Sequence, residues 1–251
     1  MNSTAVEITD PWESLKKFTA ARIALGRVGN SIPLQQSLEF KLAHAHARDA
    51  VYSLLDVEGI NSGLKHLGIP TLKLQSKAQN RQQYLQRPDL GRLPDEESLK
   101  TLEENEDASD ICISIGDGLS ANAINTNAVL LLNVLVPMLT SMKYKLSPIC
   151  LLEQARVALA DQIAHGFPAK LSLILIGERP GLSAMDSISA YITYHPKPGL
   201  TDEARNCVSN IRPGGLNFQL AAEKIVYLIQ GAFALKLSGI ALKDNAGLLN
   251  G

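Results

Sequence analysis

Residues 110–120 read DICISIGDGLS, and this stretch decides the fold. ICISIG is an apolar run too short for a helix, ending in glycine at 116. A polar turn follows, and then a long apolar stretch, roughly 120 to 141, that reads as a helix. The same pattern repeats downstream. SPICLLE (147–153) reads as a second strand, followed by a helix from about 155 to 166. LSLILIG (171–177) reads as the third strand and AYITYHP (190–196) as the fourth. A final helix is expected over about 216 to 236, with Phe218, Ala221, Ile225, Leu228, Ile229, Ala232 and Leu235 on its buried face at helical spacing. IALKD (240–244) reads as a last strand. Strands alternating with helices imply an α/β fold: a Rossmann-like, mainly parallel sheet with helices on both faces.

Upstream of residue 110 the character changes. Asp10-Pro11-Trp12-Glu13 carries the signals of a helix start: a capping acid, a proline at the first turn and a glutamate able to reach back. A second helix is expected over roughly 34 to 55, with Leu38, Leu42, Ala45 and Leu55 as an approximate apolar stripe. Residues 68–107 are rich in Gln, Arg and acids, and read as an extended connector with a short helix near its end. The acid run from Asp95 to Asp107 reads as a solvated face. The expected organisation is a helical N-terminal segment (1–67), a connector (68–109), an α/β domain (110–245) and a tail (246–251).

The composition excludes several classes. A formal net charge of −1 gives no general attraction to nucleic acid or to an anionic membrane. No uninterrupted apolar run reaches the roughly 18 residues of a membrane span, and the N-terminus lacks the basic and apolar regions of a signal peptide. A cytoplasmic protein is expected. Cys112, Cys150 and Cys207 are far apart and form no CxxC, so neither a disulfide framework nor a zinc site is indicated.

Ligands of open parallel sheets bind beyond the carboxyl ends of the strands. Here those ends carry Gly116-Asp117-Gly118-Leu119-Ser120, Glu153-Gln154-Ala155-Arg156-Val157, Gly177-Glu178-Arg179-Pro180-Gly181 and the loop leading to Cys207. Each segment also has a plainer reading. The first is a tight turn capped by Ser120, Glu178-Arg179 a surface ion pair, Cys207 an inert thiol, and Arg156 and Arg205 solvated helix-start residues. Their shared placement on one rim points to a binding edge. No GxSxG, Walker loop or HExxH occurs. His44 and His46 cannot pair as i,i+4 ligands, and His195 is expected on the rim as a structural residue. From the residues alone the chain is a ligand-binding sheet without a self-contained catalytic cluster.

Six segments together resemble one family: YLQRPDLGR (84–92), DGLSANA (117–123), EQARVALADQI (153–163), LIGERPGLSAMDS (175–187), AYITYHPKPGLTDEARNCVSNIRPGGL (190–216) and LSGIALKD (237–244). In order and spacing they are similar to the small subunit of ethanolamine ammonia-lyase. The resemblance implies deamination of ethanolamine to acetaldehyde and ammonia through a radical released by homolysis of the cobalt–carbon bond of adenosylcobalamin. It implies a large, barrel-shaped partner subunit in a hetero-oligomer, with the small subunit closing over the cofactor. Cofactor contacts carry over to Val157, Glu178 and Cys207, with Arg156 and Ser120 added from position. No catalytic residue and no protein ligand to cobalt are expected from this chain, which contains no Asp-x-His-x-x-Gly. Asn122, Asn125 and Asn127 stand where more basic character is expected of relatives, and about ten residues precede the first helix, where some relatives carry an extension linked to microcompartment packaging. The competing reading is a stand-alone cobalamin- or nucleotide-binding regulatory module.

Overall fold

A computed structural model describes residues 10–105 and 107–243. Its strands are β1 (Thr71–Gln75), β2 (Ser109–Gly116), β3 (Ile149–Glu153), β4 (Ala169–Gly177), β5 (Ile188–Tyr194) and β6 (Arg205–Ile211). They form one sheet in the order β1-β3-β2-β4-β5-β6. The first four strands in this order are parallel to their neighbours, whereas β5 and β6 are each antiparallel to the strand before. The fold is therefore α/β, as expected, but its sheet is mixed: three of the five strand pairings are parallel, and the antiparallel pairings of β5 and β6 depart from the Rossmann-like expectation. A parallel return needs a crossover of a dozen residues or more, usually helical. Only residues 178–187 separate β4 from β5, and Pro180 and Gly181 lie among them, so the chain turns back on itself.

Among the described residues the α-helices are α1 (Leu34–Tyr52), α2 (Val57–Leu64), α3 (Arg81–Gln86), α4 (Glu96–Glu103), α5 (Ala121–Ser141), α6 (Val157–Gly166) and α7 (Phe218–Leu235). The strand period of two sorts the core into two layers. Ile111, Ile113, Ile115, Leu171, Leu173 and Leu175 face α5 and α7. Cys112, Cys150, Leu152, Ile174 and Ile176 face Leu159 and Ile163 of α6. All but Ile176 of these are at most 1% exposed, and each such side chain contributes about 1.5–3 kcal/mol by leaving water. By length and composition α5 could cross a membrane, but half of its most apolar window is buried against the protein, as a core helix is.

Several local expectations are corrected. The stretch read as a connector supplies the edge strand β1, which pairs in parallel with β3, and also α3, while α4 is the short helix expected near its end. Asp95 caps α4, accepting from Ser98 N. The first helix signal yields a 3-10 helix at Glu13–Phe18 instead of an α-helix. Residues 239–241 form a 3-10 turn rather than a strand, and Asp244, the end of the IALKD stretch, lies outside the described residues. In α1 it is Ala43 and Ala50 that are buried, while Leu38 and Leu42 face solvent. Because β5 runs antiparallel, His195 lies at the opposite end of the sheet from the rim, its backbone N–H donating to Lys170 O at the start of β4.

Candidate functional site

The chain after β2 leaves toward one face of the sheet in α5, and the chain after β3 leaves toward the other in α6. The neighbouring ends of β2 and β3 thus form a switch point, where ligands of such sheets bind. On the α6 side the helix packs over β2 and β4, while α7 covers β5 and β6 from the other face. The α6-side surface of β5 and β6 is left open, and Cys207 and Ser209 are exposed on it.

The result is a groove of about 490 Å³. Its floor carries Ile176, Ser189, Tyr191, Cys207 and Ser209. One wall is the start of α6 with Arg156 and Val157, backed by Tyr84, and the rim is Gly118, Leu119 and Gly177 to Arg179. A second cavity of about 550 Å³, running beside α6 toward Arg205, shares Arg156 and Val157 with it. Four of the residues singled out in the sequence, Arg156, Val157, Glu178 and Cys207, therefore meet in one groove.

Glu178 is not a surface pair with Arg179. Its Oε1 accepts from Ser189 Oγ and from Asn210 N at 2.9 Å. A bulge in β6 makes the second bond possible, since Ile188 pairs with Ile211 but Ala190 with Val208. Asn210 sits at the bulge with φ +57° and turns its N–H toward the carboxylate. Among the described residues, Oε2 accepts no hydrogen bond.

Arg156 is not a solvated residue either. Its guanidinium stacks on the Tyr84 ring at 4.2 Å and its Nη2 donates to Tyr84 O at 3.0 Å. Its Nε is buried and has no partner among the described residues. Its backbone N–H donates to Gly91 O, and a side chain on Gly91 would strike the arginine stem, its Cβ falling 2.8 Å from Arg156 Cγ. Arg156 occupies the cap position of α6 without a side-chain capping bond.

Cys207 lies within β6, opposite Tyr191, rather than in a loop after a strand. Burial pushes its thiol up, with hydrogen bonds from Tyr191 and Ser189 pulling the other way. Tyr191 is pushed up to about 12, by burial first and by Cys207 and Glu178 next. Both groups stay neutral at physiological pH and act by packing and hydrogen bonding.

Ser120 lies outside the groove. It is buried, caps α5 by accepting from Ala123 N at 3.2 Å, and donates to Met185 O. Asn122, Asn125 and Asn127 fasten α5 to its surroundings. The N–H of Asn122 donates to Ser53 Oγ, Asn125 bonds Asp56 N and Leu54 O, and Asn127 donates to Asp186 O. Arg205 is clamped in a buried ion pair with Asp161 of α6 and a second pair with Asp202.

The sequence reading passed over Tyr84, Ser189, Tyr191 and Ser209. Tyr84 opens the YLQRPDLGR stretch, and nothing in its neighbours signals a role, because only tertiary packing brings α3 beneath the rim.

The fold and groove define an α/β protein whose mixed sheet carries an open, polar groove on one face. The profile of one family, ethanolamine ammonia-lyase light chain (EutC), matches residues 9–243. The chain belongs to that family. It is 45% identical over 250 residues to the ethanolamine ammonia-lyase small subunit of Azotobacter vinelandii, covering 98% of this chain and 93% of the relative. It is 46% identical over 241 residues to the proteins of that name from Pseudomonas fluorescens and Pseudomonas aeruginosa LESB58, covering 94% of this chain and 87% and 88% of the relatives.

Proposed function

We propose that this chain is the cofactor-holding small subunit of an adenosylcobalamin-dependent ethanolamine ammonia-lyase, working in the cytoplasm, free or inside a bacterial microcompartment. The observation that carries the reading is the convergence of Arg156, Val157, Glu178 and Cys207, from three separate stretches of chain, on one open groove. The donor set suits a corrin edge, whose amides both donate and accept. Glu178 offers a carboxylate oxygen with no partner among the described residues, Arg156 a guanidinium at the wall, and Tyr191, Ser189, Ser209 and Cys207 neutral hydrogen-bonding groups, while Val157, Leu119 and Ile176 supply apolar contact. No histidine lines the groove, which suits a cobalamin that keeps its own base on cobalt. When bound, adenosylcobalamin supplies the radical chemistry, and the protein supplies binding, orientation and shielding.

The reading also needs a partner to complete the active site. Large exposed apolar side chains are concentrated between residues 12 and 54: Trp12, Phe18, Ile32, Leu34, Leu38 and Leu42 among them. Leu34, Leu38 and Leu42 share one face of α1 at i,i+4 spacing. We assign this face to the large subunit, whose existence the name of the relatives implies.

Co-expression with a large subunit, followed by an ethanolamine deamination assay with added adenosylcobalamin, tests the reading. Turnover is expected for the complex and none for this chain alone. Turnover by the isolated chain would overturn the division of labour. Failure to co-purify with a large subunit, with cobalamin still bound, would favour the stand-alone binding module.

A further inference from the structure

Beneath the groove lies a charged pair that no part of the cofactor reading uses. Asp117, 3% exposed, follows β2 directly. Its carboxylate crosses to the neighbouring turn after β3, accepting from Gln154 N at 2.9 Å and from Ala155 N at 2.8 Å. Arg81 of α3 stands 3.6 Å away. It donates to Gly118 O at 2.8 Å and to Val51 O, and stacks on Tyr84 at 4.5 Å. Tyr84 is the ring that carries Arg156 on its other contact.

The turn that Asp117 grips is strained. Gln154 has φ +53°, a left-handed conformation that side chains other than glycine rarely adopt. Such residues persist where the surroundings over-determine them. Here the surroundings are the two bonds to Asp117 and the Ser76 hydroxyl donating to Gln154 O at 2.8 Å. The two residues after this turn are Arg156 and Val157, the groove wall.

We infer that Asp117, braced by Arg81, is a positioning residue whose charge holds the β3–α6 turn so that Arg156 and Val157 meet the cofactor. The inference rests on the cobalamin reading of the groove. Asp117 does not touch the groove itself; it acts through the backbone it binds.

A distinctive pH signature follows. Burial raises the Asp117 carboxyl to about 6, opposed by the N–H bonds from Ala155, Gln154 and Gly118 and by the Arg81 charge. The other charged or titratable groups facing it are Arg81 and Tyr84 of α3, with Arg156 beyond the Tyr84 ring. The folded state therefore takes up this proton at a higher pH than the unfolded chain does. Through this group, folding stability rises as pH falls from about 6 toward the ordinary value of 3.8. Cofactor retention should move the other way, because a neutral carboxyl grips the turn less firmly and leaves Arg81 without its counter-charge.

The test uses the co-expressed complex with the large subunit, titrated with adenosylcobalamin by equilibrium dialysis between pH 5 and 8. For the unaltered complex, affinity should fall on acidification through about pH 6. Asp117→Asn should bind about tenfold or more weakly at pH 7.5, and the acid-dependent fall should largely disappear. Arg81→Lys, which keeps the charge but loses the two-carbonyl grip, should weaken binding while leaving the fall in place. If Asp117→Asn fails to assemble, the Arg81→Lys complex and the unaltered pH profile still decide. A profile flat through pH 6 in the unaltered complex, or an Asp117→Asn complex with unchanged affinity and the same fall, overturns the inference while the cobalamin reading stands. Absence of cobalamin binding by the unaltered complex overturns the reading itself, and the inference with it.

Discussion

Glu178 divides its two oxygens between two tasks. Oε1 ties the end of β4 to Ser189 and to the bulge at Asn210, and Oε2, on a residue that lines the groove, accepts no hydrogen bond among the described residues. Glu178→Gln can keep the first set of bonds through its amide oxygen while placing an amide NH2 where the second oxygen stood. We expect it to weaken adenosylcobalamin binding by about 1–3 kcal/mol, the scale of a charge-assisted hydrogen bond, with little change in the melting temperature. Titration beside thermal melting checks this; unchanged affinity would leave Glu178 as a local tie only. At this scale the sequence was partly legible. It placed Glu178, Arg156 and Val157 at strand ends correctly, because a strand followed by a polar turn is a local signal. It offered both roles for Ser120, helix cap and cofactor contact, and could not choose between them, since a capping serine and a ligand-binding serine look alike until the rim is built; the structure shows the cap.

At the scale of elements, the antiparallel pair β5–β6 makes the site. Had β5 run parallel, a crossover helix would have covered the surface on which Cys207 and Tyr191 lie. The pair is fastened to α6 by Arg205, whose guanidinium bonds Asp161, Asp202 and Leu200 O. Burial pushes the Asp161 carboxyl up and Arg205 pulls it back. Removing one member of a buried pair strands the other charge, so Arg205→Ala should destabilise the chain by about 3–5 kcal/mol. Chemical denaturation measures it; a loss below about 1 kcal/mol, as for an exposed pair, would show the clamp to be unimportant. Replacing Asp161 and Arg205 together by apolar residues of similar volume should recover much of the loss. The signal for the reversed strand was present in the short, proline-containing link 178–187, but the strong apolar pattern of four successive runs outweighed it in the reading.

On the whole molecule, the sheet and its helices are well buried while the N-terminal arm is not. Leu34 is 74% exposed, and Leu38 and Leu42 lie beside it on the same helix face. Because these side chains bury little surface in the isolated chain, Leu38→Glu with Leu42→Glu should leave its stability nearly unchanged. The same double change should sharply reduce co-purification with the large subunit, as measured by affinity capture and gel filtration of the co-expressed pair. Full recovery of the complex would move the interface off this face.

What the sequence determined by itself was the local content. The order of strands and helices from Ser109 to Tyr194, and the final helix, followed from run length and helical spacing, whereas β6 was read as a loop; the family followed from motifs of contiguous residues. Only the tertiary structure decided strand direction, the sheet position of Thr71–Gln75, the end of the sheet at which His195 lies, the joining of Tyr84, Arg156, Glu178 and Cys207 around one groove, and the reach of Asp117 to the turn that carries Arg156. The physical reason is range. Propensity, capping and periodicity act over a few residues and are written in adjacent letters. Strand pairing and burial act between segments far apart in the chain, and the side chains that meet there carry no mark of it in their own neighbourhoods.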